Sequence, residues 1–415
     1  MLNWANRFNI FCFLDNNQYS YENPQFECIL AAGAVKSVTL SNDTAFADLR
    51  SFSESNPGWL FGHFNYPSAS ANETGFPAGF FFTPETIVRM DNGHVMIESS
   101  VASPEEIFTA INAHGADVEK RTGTHVSVRS RFTESQYLDI IASIKKHIQR
   151  GDCYELNFCQ EFYSTEASAD PLYLYHRLTA VSPNPFAAFY KLHDKYCLCA
   201  SPERFLKKTG PIVCSQPIKG TSKRDLSNAA NDLAGKEYLS SSTKEKSENV
   251  MVVDLVRNDL SRICTEGSVT VKELFGIYSF PQVHQMISTI QGRVDETVHW
   301  TTVIEACFPM GSMTGAPKIK VMELIAQYES YPRGLFSGSI GYVTPEGDFD
   351  FNVVIRSLFY NETKKYLSFN AGSGITFYSD PALEYIECMM KASAILRVLE
   401  YDQAPFFRPP EDLTG

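Results

Sequence analysis

At Thr133 the character of the chain changes. Thr133 and Gln136 stand three apart as a capping box, and Tyr137, Ile140, Ile141, Ile144 and Ile148 then recur on one helical face. Gly151 follows where a helix usually ends in a left-handed residue. The pattern predicts a long amphipathic helix that needs a broad apolar surface to lie on. Beyond it, helical patterns alternate with runs of strand character at Ala187–Tyr190, Leu335–Val343 and Phe349–Phe359. Before Val126 the chain reads as short aromatic and β-branched runs, with a weak helical signal at Pro104–Ala113. Tyr66–Pro84, rich in Ser, Ala, Gly, Pro and Phe, reads as irregular loop. These shifts divide the chain into an N-terminal subdomain (1–125), a core (126–400) and a polar, Pro-rich, frayed tail (401–415).

Composition narrows the partners. A chain of 415 residues that is 44% hydrophobic can bury one or two domain cores. A net charge of -12 argues against nucleic acid or an anionic membrane surface as partner. An anionic substrate then needs local Lys, Arg, backbone amides or a metal to reverse the field. No run approaches the roughly 20 apolar residues of a membrane helix, and Met1–Arg7 lacks the basic-then-apolar pattern of a secretory signal. Ten cysteines without a single CxxC pair argue against zinc and for a reducing, cytoplasmic setting. Cys197 and Cys199 sit in an alternating run and read as strand residues.

Three segments carry groups suited to chemistry. Lys219 stands between a proline and a glycine in Pro217-Ile218-Lys219-Gly220-Thr221. It is either a solvated turn lysine or a nucleophile whose burial frees the amine to attack. Glu245 and Glu248 share one face at the start of an apolar helix towards Leu260, and Glu384 and Glu387 repeat that spacing after the Asp380-Pro381 helix start, with Lys391 one turn further on. These acids are solvated surface unless the two helices converge, when four carboxylates make an oxygen-lined site for Mg²⁺. The glycine-rich Gly311–Lys318 segment lacks the spacing of a nucleotide P-loop, and Pro317 removes a donor amide. Ala371–Ile375 either presents bare amides to a carboxylate or is a tight turn.

In order along the chain, these segments resemble the chorismate-utilising enzymes. The resemblance runs from about Thr133 to Leu396 and includes Gly151-Asp152-Cys153-Tyr154, Ser201-Pro202-Glu203-Arg204-Phe205, the lysine pentapeptide and Glu248-Asn249-Val250-Met251. It continues through Asp254–Leu260, His284, the Gly311 loop, Ile355-Arg356, the Gly372 loop and Glu384-Tyr385-Ile386-Glu387. Glu155 stands where the family often has Gln, and Ser357 where Thr is usual. The resemblance implies an α+β fold, like anthranilate synthase component I, with two antiparallel sheets packed face to face and helices outside. Lys219 is similar to the lysine of the branch that aminates chorismate at C4; relatives that add ammonia or water directly usually carry alanine.

For the site, the resemblance implies Mg²⁺ held by Glu248 and Glu387, with Glu245 and Glu384 ordering its waters. Arg356 would grip the enolpyruvyl carboxylate of chorismate, with Tyr342 and the amides of Gly372 and Gly374 beside it. Lys219 would be the nucleophile, neutral because burial and the cation lower its pKa, and Glu203 the acid for the departing hydroxyl. Gly220, Thr221, His284, Thr314 and Lys391 match substrate-pocket positions. Ammonia would come from a separate glutamine amidotransferase subunit, since no nucleophilic-cysteine motif of that kind is present. The rival expectations are amination at C2, as in anthranilate synthases, and an inactive chorismate-binding regulatory subunit.

Overall fold

The computed structural model describes residues 1–17, 19, 26–41, 44–68, 70–114, 126–280 and 283–399. The boundary near residue 125 and the tail 401–415 lie outside the described residues. Among those described, the strands form two sheets in which neighbours pair antiparallel throughout. The first has eleven strands. Its order is Gly315–Ala316, Glu155–Ser164, Tyr366–Thr376, Ser357–Asn361, Lys195–Ser201, Phe186–Leu192, Ile10–Asp15, Cys28–Ala32, Thr86–Asp91 and His94–Ser99, with Arg129–Ser130 beside Glu155–Ser164. The second has ten. Its order is Ile218–Lys223, Val283–Arg293, Ile212–Gln216, Arg204–Thr209, Phe349–Asn352, Ser339–Val343, Leu60–Phe64, Gly79–Thr83 and Lys36–Leu40, with Thr270–Ser279 beside Val283–Arg293.

Side-chain alternation explains how the layers stack. Cys12, Ile29, Cys197 and Cys199 of the first sheet join Phe61, Phe81, Phe349 and Phe351 of the second in one core. Their neighbours Phe11, Phe13, Leu30 and Leu198 point the other way, into a second core beneath the helices. The first sheet is thus covered on both faces, which is why its strands read as almost unbroken apolar runs.

The helix Glu134–Arg150 lies on that outer face. Its capping box forms as expected, Gly151 closes it at φ 83°, and Tyr137, Ile141, Ile144 and Ile148 are its buried stripe. Pro381–Val398 packs beside it, opened by Asp380, whose carboxylate accepts from the amides of Ala382 and Leu383. The helical signal at Pro104–Ala113 is also a helix, with its own capping box.

Three expectations change. Tyr66–Pro84 is not loop throughout: Gly79–Thr83 is an interior strand, because Phe80, Phe81 and Phe82 bury themselves on both faces. Phe349–Phe359 is two strands in different sheets, parted where Arg356 takes the left-handed φ of 52°. That conformation costs a non-glycine residue about 1–2 kcal/mol. Leu335–Val343 is strand only from Ser339, since Gly334 and Ser337 turn the chain at φ 59° and 60°.

The stripe on Glu134–Arg150 has a measurable value. Ile144 is fully buried, so Ile144→Ala is expected to destabilise the fold by about 2–5 kcal/mol through lost burial and the cavity left behind. Urea denaturation should show a lower midpoint with an unchanged slope.

Candidate active site

Lys219 leaves the edge strand Ile218–Lys223 of the second sheet and meets Glu155, the first residue of Glu155–Ser164 in the first sheet. Its Nζ donates to Glu155 Oε1 at 2.6 Å, with the two side chains only 12% and 3% exposed. Burial alone would push the Lys219 amine down. The Glu155, Glu248 and Glu203 carboxylates outweigh it, so the net shift is upward. The lysine is enclosed in a negative cage, and the expected lowering of its pKa would need the cation as well as burial.

Glu203 sits in the turn between Lys195–Ser201 and Arg204–Thr209 and is almost wholly buried. Burial raises its carboxyl to about 7, against the opposing pull of nearby Ser312, Lys219, Arg356 and the Ile218 amide. It therefore holds a proton for a large part of the time at neutral pH. Burial lowers the Arg356 guanidinium, with Glu203 opposing.

The two acidic helix starts share one electrostatic field. Ser242 caps the helix Thr243–Ser261 by accepting from the Glu245 amide, which turns Glu245 and Glu248 onto one face. All four carboxylates act on Lys244, whose pKa is raised against burial by Glu248, Glu384, Glu387 and Glu245. Burial raises Glu248 to about 7 and also raises Glu245. Glu387 is held low by Lys391, whose Nζ lies 2.7 Å from its Oε1. Glu384 is buried and accepts from Ser373 Oγ. Among the described residues, no three His, Cys, Asp or Glu side chains stand close enough to hold a metal ion as placed. The donor chemistry nonetheless fits a hard cation, since Glu245 and Glu248 are half-buried carboxylates whose charge a cation would stabilise.

The glycines are not in loops. Gly372 and Gly374 lie inside the strand Tyr366–Thr376 and not in a turn, opposite Cys159 and Asn157, whose own amides donate elsewhere, to Glu329 Oε1 and the Thr314 carbonyl. Two close approaches need the bare backbone. A side-chain carbon on Gly372 would collide with the Phe158 carbonyl. One on Gly374 would lie 2.6 Å from Glu155 Oε1 and 2.7 Å from Lys219 Nζ. Gly220 takes φ 93°, a region natural only for glycine, and faces Glu245. Lys391 donates to the Gly372 carbonyl at 2.8 Å.

Other expected pocket residues are turned elsewhere. His284 engages Ser279 Oγ at 2.8 Å through Nδ1 and the Asp232 carbonyl at 3.1 Å through Nε2, beneath the helix Ala229–Ser241. The Thr314 hydroxyl donates within its own turn, to Met310 and Gly311. Thr221 is exposed on the edge strand opposite Gln285. Tyr342 faces a different cavity, lined also by Asp15, Phe186, Arg204 and Asp350, and packs its ring on Phe26, Trp59 and Phe61. It is therefore not the neighbour of Arg356 that the resemblance implied.

Sequence reasoning treated Glu155 only as a departure from pattern, and missed Ser312 and Lys244. The available signal was an acidic residue opening the mostly apolar run Glu155-Leu156-Asn157-Phe158-Cys159. An acid there needs a cation, and Lys219 supplies it.

Glu203 ties this electrostatics to stability. A carboxyl raised from 4.5 to about 7 costs nothing below its unfolded pKa. The cost then grows as pH rises between the two values and is full above 7. Glu203→Gln is thus expected to stabilise the protein at pH 8.5, by on the order of 3 kcal/mol at most, and far less at pH 5. Denaturant midpoints at the two pH values would check the sign.

The chain matches the chorismate binding enzyme family over residues 11–397. Aminodeoxychorismate synthase component 1 of Salmonella typhimurium is 36% identical over 308 residues, covering 71% of this chain and 67% of that protein. Its Escherichia coli K12 counterpart is 36% identical over 304 residues, covering 73% and 63%. The matched region thus spans about two thirds of the length of these relatives. The crystal structure of anthranilate synthase component I from Streptococcus pneumoniae TIGR4 superposes with a TM-score of 0.75 at 24% identity, covering 88% of this chain and 91% of that one. That similarity bears out the two-sheet α+β fold. With a family match spanning nearly the whole chain and relatives 36% identical over most of it, the chain belongs to the chorismate binding enzymes.

Proposed function

We propose that this protein replaces the C4 hydroxyl of chorismate with an amino group, forming 4-amino-4-deoxychorismate. The observation that carries the reading is Lys219, buried at the junction of the two sheets with the near-neutral acid Glu203 beside it. Relatives named aminodeoxychorismate synthase, from bacteria to the chloroplast enzyme of Arabidopsis thaliana at 40% identity, support it.

Chorismate brings two carboxylates and a poor leaving group. Arg356 offers its guanidinium fork to the enolpyruvyl carboxylate. Glu248 and Glu387, with Glu245 and Glu384, would hold Mg²⁺, which supplies positive charge for the ring carboxylate. Lys219 Nζ attacks C2, the ring double bonds shift, and the C4 oxygen leaves as water with the proton of Glu203. Ammonia then adds at C4, the double bonds shift back, and the C2–Nζ bond breaks. Glu203 regains its proton from the new amine. Ammonia is scarce at neutral pH, so a separate glutamine amidotransferase subunit would supply it.

Incubation with chorismate, Mg²⁺ and ammonium, followed by chromatography and mass spectrometry, tests the reading. The expected product is aminated at C4, and glutamine without a partner should not replace ammonium. Lys219→Ala should slow C4 amination by on the order of 10²-fold or more, about 3 kcal/mol of barrier, and let ammonia or water reach C2. An unchanged rate with unchanged C4 amination would reduce Lys219 to a turn residue. Separately, Glu248→Gln and Glu387→Gln should each abolish turnover with the melting temperature retained; near-normal activity at limiting Mg²⁺ would contradict the metal assignment.

A further inference from the structure

The lysine needed as a nucleophile is held among carboxylates that favour its protonated form. Around it stand Glu155 from the strand Glu155–Ser164, Glu203 from the turn before Arg204–Thr209, and Glu245 and Glu248 from Thr243–Ser261. Arg356, and the Glu387–Lys391 pair of Pro381–Val398, lie further out. Of these, Glu155 alone is hydrogen-bonded to Nζ, at 2.6 Å. Its other oxygen, Oε2, is buried and has no hydrogen-bond partner among the described residues. The Nζ–Oε1 contact is within the reach over which a general base takes a proton directly. Gly374 presses its backbone against the Nζ–Oε1 contact, where a side-chain carbon would lie within 2.7 Å of both atoms, so little room remains there for water to act as acceptor instead.

We propose that Glu155 is the base for Lys219, taking a proton from Nζ directly onto its carboxylate before the amine attacks. The step rests on Lys219 being the nucleophile. It is an internal transfer: ammonium and carboxylate become amine and carboxylic acid, with no change in net charge. When ammonia has displaced the lysine from C2, the free amine recovers its proton from Glu155 and the pair is restored. An amide at position 155 can hold Nζ but cannot accept its proton.

The test is the pH dependence of kcat for C4 amination, with free ammonia held constant across the range. Glu155→Gln should lower kcat at pH 7.5 by about 10²-fold, the usual scale of a lost general base, and move the acid limb to higher pH. The KM for chorismate should stay within about twofold. Glu155→Asp, which keeps a carboxylate at shorter reach, should keep the acid limb in place with a smaller loss of rate, and serves if the Gln variant does not fold. If Glu155 is only a counter-ion, its removal frees the amine, so the rate holds or rises and the acid limb moves to lower pH. That result overturns the proposal, as does a slower Gln variant whose acid limb does not move, or an Asp variant whose limb rises. Wild type and Lys219→Ala in the same assay separate the two levels. A wild-type product aminated elsewhere, or an unimpaired Ala variant, removes the nucleophile itself, whatever position 155 does.

Discussion

A cation and an anion meet at 2.6 Å where two sheets come together, and neither has much access to water. Glu155 belongs to one sheet and Lys219 to the other, so their contact is electrostatic and architectural at once. Removing one member of such a pair leaves the other charge buried and alone, typically a loss of 3–5 kcal/mol. Much of the neighbourhood follows from keeping the pair enclosed. Gly374 has to be bare, Gly220 has to take a left-handed turn, and Glu203 becomes an acid near neutrality because it is buried in the same place.

The surrounding packing makes this placement rigid. The buried Glu329–Arg333 pair lies a short way along the strand Glu155–Ser164. Arg333 donates to the carbonyls of Asn157 and Met313, and Glu329 accepts from the Cys159 amide. The strand that begins with Glu155 is thereby tied to the turn that carries Ser312. On its far face the same strand sends Phe158 and Phe162 into the core under Glu134–Arg150 and Pro381–Val398. Helix burial, strand register and site geometry are therefore coupled through one element.

Periodicity made the helices legible. Thr133, Gln136 and the Tyr137–Ile148 stripe, or Asp380 followed by Pro381, act locally, so a sequence can declare them. The strands around Phe80–Phe82 were hidden, because residues covered on both faces carry no alternation to read. Sheet membership was hidden too, since nothing local says that Phe349–Asn352 and Ser357–Asn361 enter different sheets. The acidic faces of two helices were visible as spacing, but their common field depends on tertiary approach, which spacing cannot express. Lys219 was visible as an oddity between Pro217 and Gly220. Its burial was foreseen, and so were Glu203 and Glu248 in the same site, but its ion pair with Glu155 was not. Tyr342 failed as well: matching a motif located it in the chain but not in the right cavity.

What unites fold and chemistry is a covalent bond expected at one atom, Lys219 Nζ. Incubating the protein with chorismate and Mg²⁺ but no ammonium, quenching, and mapping peptides by mass spectrometry looks for that bond directly. The expected result is a peptide containing Lys219 that carries the mass of chorismate less one water, lost again when ammonium is supplied. Steady amination at C4 with no adduct at Lys219 on any accessible timescale, or an adduct on a different residue, would contradict it.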